Sequence, residues 1–174
     1  MKTKKHATIY TDRLCLRPFM ETDTEDMLAI LTNKEIAKTY MLPDFASYED
    51  AKNLFERLKS LSHSHERFVY GIDLDGRIIG YIHDVQVEQD EVEVGYVIHP
   101  DHKGQGFATE SLKGIIGEFF HAGFQSVTAG AFEGNIASMR VMEKSGMTLI
   151  EKTEQIPYRD QILHCIFYKI DATP

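Results

Sequence analysis

The run Glu91-Val92-Glu93-Val94-Gly95-Tyr96-Val97-Ile98-His99-Pro100-Asp101-His102-Lys103-Gly104-Gln105-Gly106-Phe107-Ala108-Thr109-Glu110 constrains this chain more than any other segment. It reads as a β-branched strand, a glycine turn and the start of an amphipathic helix. Gly104 and Gly106 carry no Cβ, so the backbone can turn sharply there and come close to a ligand. The helix that follows aims its free N–H groups, and roughly half a positive charge, at the same spot. Such a terminus is a ready phosphate site. A plain tight turn between strand and helix would use the same glycines.

Two common phosphate motifs do not fit. A P-loop needs Gly-Lys followed by Ser or Thr, whereas Lys103 precedes its glycine. A dinucleotide fingerprint needs a glycine where Thr109 stands, and no acidic ribose-binding residue follows at the usual distance. Lys103 through Ala108 instead resembles the Q/R-x-x-G-x-G/A signature of the GNAT superfamily of acetyl-CoA-dependent N-acetyltransferases, with Lys103 in place of the usual Gln or Arg. Contacts from such a turn to a pyrophosphate are mostly main-chain, so that departure is expected to be tolerated.

The resemblance runs through nearly the whole chain in order. Thr11-Asp12-Arg13-Leu14-Cys15-Leu16-Arg17-Pro18 looks like the T-x-R-L-x-L-R-P opening of the branch that includes the ribosomal-protein N-terminal acetyltransferases. Glu93-Val94-Gly95-Tyr96 resembles its E-I-G-Y strand. Asn135-Ile136-Ala137-Ser138 with Glu143-Lys144-Ser145-Gly146-Met147 resembles its N-x-x-S…E-K-x-G-F segment, departing at Ser145 and Met147. Each piece alone is weak; four in order at proper spacings are strong. The resemblance implies a GNAT fold of the α/β (α+β) class. In it, one mixed, mostly antiparallel sheet of about seven strands is flanked by helices, in a single domain over residues 1–174.

Periodicity gives a matching element order. Arg13 to Arg17 alternates as a strand. Thr22 to Asp26 opens a helix carrying Met27, Leu28, Ile30 and Leu31. Ser47 and Asp50 suggest a capping box ahead of the helical face Ala51, Leu54, Phe55, Leu58 and Leu61. Phe68 to Leu74 and Arg77 to His83 form a hairpin through Asp75-Gly76. The helix after the glycine turn shows Leu112, Ile115, Ile116, Phe119 and Phe120 at i, i+3, i+4, i+7, i+8. Gln125 to Phe132 is a strand, and Asn135 caps a short helix that stops at Gly146. Thr148 to Glu154 and His164 to Ile170 close the chain as a strand pair. The predicted order is βααβββαβαββ around one mixed sheet.

Composition bounds the function. A length of 174 residues with 43% hydrophobic content suits one compact domain. The net charge of −8 argues against a nucleic-acid partner, which would need a basic footprint. It is compatible with a cationic substrate, and equally with acidity kept for solubility. No run of eighteen apolar residues exists, so no membrane-spanning helix is expected. Met1 to His6 is basic, but no apolar stretch of signal-peptide length follows. Cys15 and Cys165 lie in separate strand-like segments, which favours buried reduced thiols and a cytoplasmic, bacterial-type protein.

Acetyl transfer requires an amine that attacks as the neutral base. At pH 7, deprotonation costs about 1.4 kcal/mol for an α-amino group and about 4.6 kcal/mol for a lysine. Glu93, on the strand that leads to the glycine turn and sharing a face with Glu91, Gly95 and Val97, is the preferred general base; a solvated strand glutamate is the alternative. The resemblance implies that acetyl-CoA is held by Lys103, Gly104, Gln105, Gly106, Phe107, Ala108 and Thr109, and that the main chain of Val97 and Ile98 pairs with its pantetheine arm. It further implies that Asn135 binds that arm and that Ser138, one helical turn on, lies near the sulfur as a hydrogen-bond donor to the leaving thiolate. Helix capping, with Asn135 accepting from the Ser138 N–H, is the other reading of that pair.

The remaining polar residues offer less. His63 and His65, two apart on a predicted helix, make a poor metal pair. His99, His102 and His121 flank the cofactor helix and are expected in solvent. His83 and His164, at strand ends, could line a cleft, but a structural role is the expectation, and Tyr96 is expected in the core. No metal constellation is visible. The expectation is an enzyme that moves acetyl from acetyl-CoA directly to a primary amine in a ternary complex. The acceptor is either a protein N-terminus or a small amine such as a polyamine, amino acid or aminoglycoside. A non-catalytic acyl-CoA-binding module is the competing class, and monomer and homodimer both stay open.

Overall fold

The computed structural model describes residues 7–174, so the basic Met1–His6 stretch lies outside the described residues. Eight strands make one open sheet: β1 (Ile9–Tyr10), β2 (Cys15–Arg17), β3 (Val69–Leu74), β4 (Arg77–Glu88), β5 (Glu91–Ile98), β6 (Ser126–Phe132), β7 (Thr148–Tyr158) and β8 (Gln161–Asp171). Their spatial order is β1-β2-β3-β4-β5-β6-β8-β7. Every neighbouring pair is antiparallel except β5 and β6. The helices are α1 (Thr24–Leu31), α2 (Ile36–Thr39), α3 (Tyr48–Ser62), α4 (Phe107–His121) and α5 (Ile136–Lys144). The sheet is thus mixed and mostly antiparallel as expected, with one strand more than anticipated.

The differences have local causes. β1 spans two residues and α2 four, too short to show a period. β4, β7 and β8 run longer than predicted because their outer residues pair while exposed, and carry no apolar alternation. The β7–β8 turn is made by Arg159 and Asp160, both at positive φ of 46° and 61°, a geometry usually signalled by Asn-Gly or Asp-Gly. α3 ends at Ser62, so His63 and His65 lie beyond the helix rather than on it. His83 and His164 sit inside β4 and β8, not at strand ends. Cys15 is only half-buried, while Cys165 is buried; both are free thiols.

Two apolar cores flank the sheet. One gathers Leu16, Val92 and Val94 with Leu112, Ile115 and Phe119 of α4. The other gathers Phe19, Met27, Ile30 and Phe55 of the α1–α3 layer with Tyr81 and Val97. α1 buries Met27, Leu28, Ile30 and Leu31, the four residues its pattern selects. Asp23 does not cap α1; it is buried and receives both NH groups of Arg17 at 2.9 Å, while Asp73 takes the Arg17 Nε at 2.7 Å. Removing one member of a buried, paired charge set leaves its partner uncompensated and costs several kcal/mol.

Candidate active site

β5 and β6 pair only from Glu91–Val94 to Ser126–Ala129. Beyond that the strands part, although β5 continues to Ile98 and β6 to Phe132. A cavity of about 380 Å³ opens in the gap, walled by Gly95 to Ile98 on one side and Gly130 and Ala131 on the other. The edge of β5 facing the gap therefore keeps main-chain donors and acceptors free for an extended ligand to pair with.

The glycine turn closes one end. Gly104 and Gly106 adopt φ of +74° and +82°, a region that side-chain-bearing residues rarely enter. Gly106 is the N-cap of α4 and no side chain caps that helix, so its first N–H groups point toward the cavity mouth. Arg13 braces the turn. Its guanidinium donates to the Gln105 carbonyl at 2.9 Å and to Glu110 at 2.7 Å, and lies 4.4 Å from the Phe107 ring centre. Glu110 also accepts from the Thr11 hydroxyl at 2.6 Å and the Arg13 N–H at 2.7 Å. Burial opposes ionisation of Glu110, but these donors outweigh it and hold its carboxyl below the usual range. The Thr11–Arg13 signature thus serves the turn from far away in sequence.

The cavity wall is basic. Lys103, Arg140 and Lys144 line it together with His102, and no Asp or Glu does. In a chain of net charge −8, that local reversal fits a polyanionic ligand, and a phosphate-rich one fits both the charge and the helix terminus. Among the described residues, no group of three or more His, Cys, Asp or Glu converges as a metal site.

At the middle of the gap two hydroxyls meet. Tyr96 Oη lies 2.8 Å from Ser138 Oγ and also donates to the Ser138 carbonyl at 3.2 Å. Asn135 accepts the Ser138 N–H at 3.2 Å, so it caps α5 and presents Ser138 to the cavity at once. Burial pushes the Tyr96 phenol up to about 12. Handing its proton to a thiolate with a conjugate pKa near 8.5 would be uphill by about 5 kcal/mol. Tyr96 can therefore stabilise such an anion only by hydrogen bonding, relayed through Ser138.

Of the predicted cofactor residues, Val97, Ile98, Lys103, Gly104, Gly106, Phe107, Ala108, Thr109, Asn135 and Ser138 all line the cavity. Gln105 does not; its carbonyl faces Arg13. Glu93 is also absent from the wall. Its side chain is 16% exposed and its Oε2 lies 3.5 Å from Lys152 Nζ, which rests 4.2 Å over the Phe167 ring. Burial raises its pKa, partly offset by Lys152. Tyr96 packs against the core as expected and also lines the cavity, and His102, expected in solvent, lines it too. Tyr96 could have been suspected from its alternation with Val94 and Val92, which carries its side chain to the α4–α5 face.

The far end is built from distant pieces. Ile36, Thr39 and Tyr40 line the cavity there, and Tyr40 Oη is hydrogen-bonded to His83 Nε2. The β7–β8 hairpin pins this segment: Tyr158 Oη donates to the Ala37 carbonyl at 2.9 Å and accepts from the Leu42 N–H at 3.3 Å. Its ring stacks on Phe132 at 6.2 Å. No local pattern in the sequence signals these contacts.

Known proteins share this fold. Residues 13–148 match the acetyltransferase (GNAT) domain family. The uncharacterized N-acetyltransferase YoaA of Bacillus subtilis (strain 168) is 31% identical over 141 residues, covering 78% of this chain and 80% of that protein. Among solved structures, the ribosomal L7/L12 alpha-N-protein acetyltransferase RimL in complex with coenzyme A superposes with a TM-score of 0.83 at 17% identity, covering 95% of this chain and 98% of the other. The microcin C7 self-immunity acetyltransferase MccE, in complex with acetyl-CoA and AMP, gives 0.80 at 16% identity, covering 92% and 93%. At those identities the two structures speak for the fold.

Proposed function

Because the chain belongs to the GNAT acetyltransferase family, we propose that it carries an acetyl group from acetyl-CoA directly to the primary amine of a protein N-terminus within a ternary complex. It is an acetyl-CoA-dependent N-acetyltransferase. The observation that carries the reading is the basic, acid-free cavity between the parted strands, with the uncapped α4 terminus at one end and the Ser138–Tyr96 hydroxyls inside. All of the residues expected to hold acetyl-CoA except Gln105 line the same cavity. The turn from Lys103 to Thr109 receives the pyrophosphate, and the free edge of Val97 and Ile98 pairs with the pantetheine arm. A β5 N–H polarises the thioester carbonyl. Ser138, backed by Tyr96, donates to the departing sulfur.

The acceptor's ammonium must shed a proton before it attacks. Glu93 stands about 6.6 Å before Gly95 along β5, two residues at the usual strand rise, and can take that proton through water. A protein N-terminus suits a weak base best, since its deprotonation costs about 3 kcal/mol less than that of a lysine. RimL is a ribosomal L7/L12 alpha-N-protein acetyltransferase. The test is release of free thiol from acetyl-CoA across peptides with free N-termini, polyamines and aminoglycosides. Turnover with free peptides that is abolished when their N-termini are acetylated beforehand supports the reading. Turnover confined to small amines replaces it with the small-molecule alternative, and tight CoA binding without turnover on any amine replaces it with a binding module.

A further inference from the structure

A half-buried acid–base pair stands at the acceptor end of the cavity and has no part in the chemistry above. His83 in β4 lies directly opposite Gly95 of β5 in the sheet register, and Gly95 lines the cavity. A Cβ on Gly95 would sit 3.1 Å from His83 Nε2, so the glycine makes the room the imidazole occupies. His83 Nδ1 lies 2.9 Å from the Asp84 carbonyl, which can only accept, so Nδ1 carries the proton and Nε2 keeps its lone pair. That lone pair receives the hydroxyl of Tyr40, whose side chain lines the cavity. Tyr81 fixes both rings, stacking on His83 at 5.8 Å and meeting Tyr40 edge-on at 6.0 Å.

We propose that Tyr40 and His83 form a proton relay for the acceptor amine, with Tyr40 touching the ammonium and His83 holding the proton. The proposal rests on the acetyl-transfer reading and gives it a route that does not depend on water to Glu93. An ammonium proton passes to Tyr40 Oη as the phenol's own proton passes to His83 Nε2. This leaves a neutral amine, an intact phenol and an imidazolium. The nitrogen lone pair then forms the C–N bond at the acetyl carbonyl, and the C–S bond breaks with its electron pair on sulfur. The surplus proton on the new amide nitrogen ends on sulfur as free thiol, and the His83 proton returns to solvent.

The surroundings suit a transient carrier. Facing His83 are Tyr40 from the end of α2, Tyr81 and Asp84 on its own strand, Val69 of β3, Gly95 of β5 and the nearby Arg67. Glu93 lies one pleat along β5. Arg67 and Asp84 pair with each other at 2.9 Å and largely cancel. Burial therefore dominates and favours the neutral imidazole, which is the form that can accept a proton near neutral pH. Burial also drives the Tyr40 phenol well above its ordinary value, so the two proton shifts occur together and no phenolate accumulates.

His83→Gln separates the two routes, because a glutamine carbonyl can still accept the Tyr40 hydroxyl but cannot take its proton. With an amine that the wild type turns over, kcat should fall on the order of 10²-fold, acetyl-CoA affinity and the thermal midpoint staying unchanged. The deficit should narrow as pH approaches the amine's own pKa. Tyr40→Phe should give a similar deficit, and the double variant should lose little more; Tyr40→Phe also keeps the test open if His83→Gln folds poorly. If His83→Gln keeps full kcat and the acid limb of its kcat/KM profile while Glu93→Gln loses the limb, the relay is overturned and Glu93 is the base. A loss confined to KM also overturns it. A wild type that turns over no amine removes the acetyl-transfer reading itself, and the relay with it.

Discussion

The two ends of the β5–β6 gap are made in opposite ways. At the α4 end, one contiguous stretch, Lys103 to Thr109, supplies the main-chain N–H groups, and Arg13 braces them from below. At the acceptor end, Tyr40, His83, Gly95 and Tyr158 come from four separate elements or loops and meet only through sheet register and a hairpin staple. Main-chain recognition imposes a local signature, whereas side-chain recognition built across elements imposes none. A polyanion shared by many acetyl-CoA enzymes can be read by the first kind of site, and an acceptor peculiar to one enzyme needs the second.

The sharpest way to break the comparison is at the hydroxyl pair between the ends. If Ser138 acts only once charge develops on sulfur, Ser138→Ala should lower kcat and kcat/KM together, on the order of 10²-fold, with CoA binding almost normal. Tyr96→Phe should give a smaller loss of the same kind, since Tyr96 reaches the sulfur through Ser138. Steady-state kinetics beside calorimetry of CoA checks both. A change in CoA affinity alone would make Ser138 a cofactor contact belonging to the α4 end.

Next in size is the turn itself. Gly106→Val places a β-branched side chain at φ of +82° and a Cβ 3.3 Å from Arg13 Nη2. A strain of about 1–2 kcal/mol at such a residue should weaken CoA binding roughly tenfold, with amine KM little changed. Gly104→Ala has a similar φ but nothing within 4 Å of its new Cβ, so it should cost less. Equal CoA affinity for folded Gly106→Val and wild type, by calorimetry, would move the pyrophosphate elsewhere.

What was legible in the sequence follows the same division. The Glu91–Glu110 run, the α1 and α4 faces and the Asp75-Gly76 hairpin each carry a local period or a turn residue, and each lies where expected. Asn135 and Ser138 were placed together by helical spacing, and the structure shows the cap and the cavity position at once. Tyr40, just past the end of a four-residue helix, and His83, mid-strand, carry no local period. Their meeting depends on a β-bulge near Val85, on the absence of a side chain at Gly95 and on the fold of the residue 33–47 segment. Periodicity reports which face of an element is buried, not which distant element lies against it.

At the acceptor end, Tyr158→Phe should show how far the hairpin staple matters. The phenol oxygen joins the Ala37 carbonyl and the Leu42 N–H, which flank Tyr40. Losing about 1 kcal/mol of hydrogen bonding there should raise the amine KM roughly fivefold and leave CoA affinity unchanged. An equal effect on CoA would mean that the two ends are mechanically coupled rather than separately built.

The smallest effect sharpens the boundary between Glu93 and the relay. Glu93 already has a raised pKa, because burial penalises its carboxylate, and Lys152 at 3.5 Å pulls it back down. Lys152→Met removes that counterweight, so the Glu93 carboxyl should titrate at higher pH still, which a carboxyl-observed NMR titration would read directly. The sign matters for the rate. A base that holds its proton to higher pH is withdrawn from service over the added range, so an acid limb set by Glu93 must move to higher pH with the variant. If Tyr40 and His83 carry the proton, the limb should stay where it is while the Glu93 titration moves, because Lys152 is not among the groups that perturb His83. The two curves separating would assign Glu93 to the charge of the acceptor site. The two curves moving together would return the proton to Glu93 and leave His83 as a packed neighbour of Gly95.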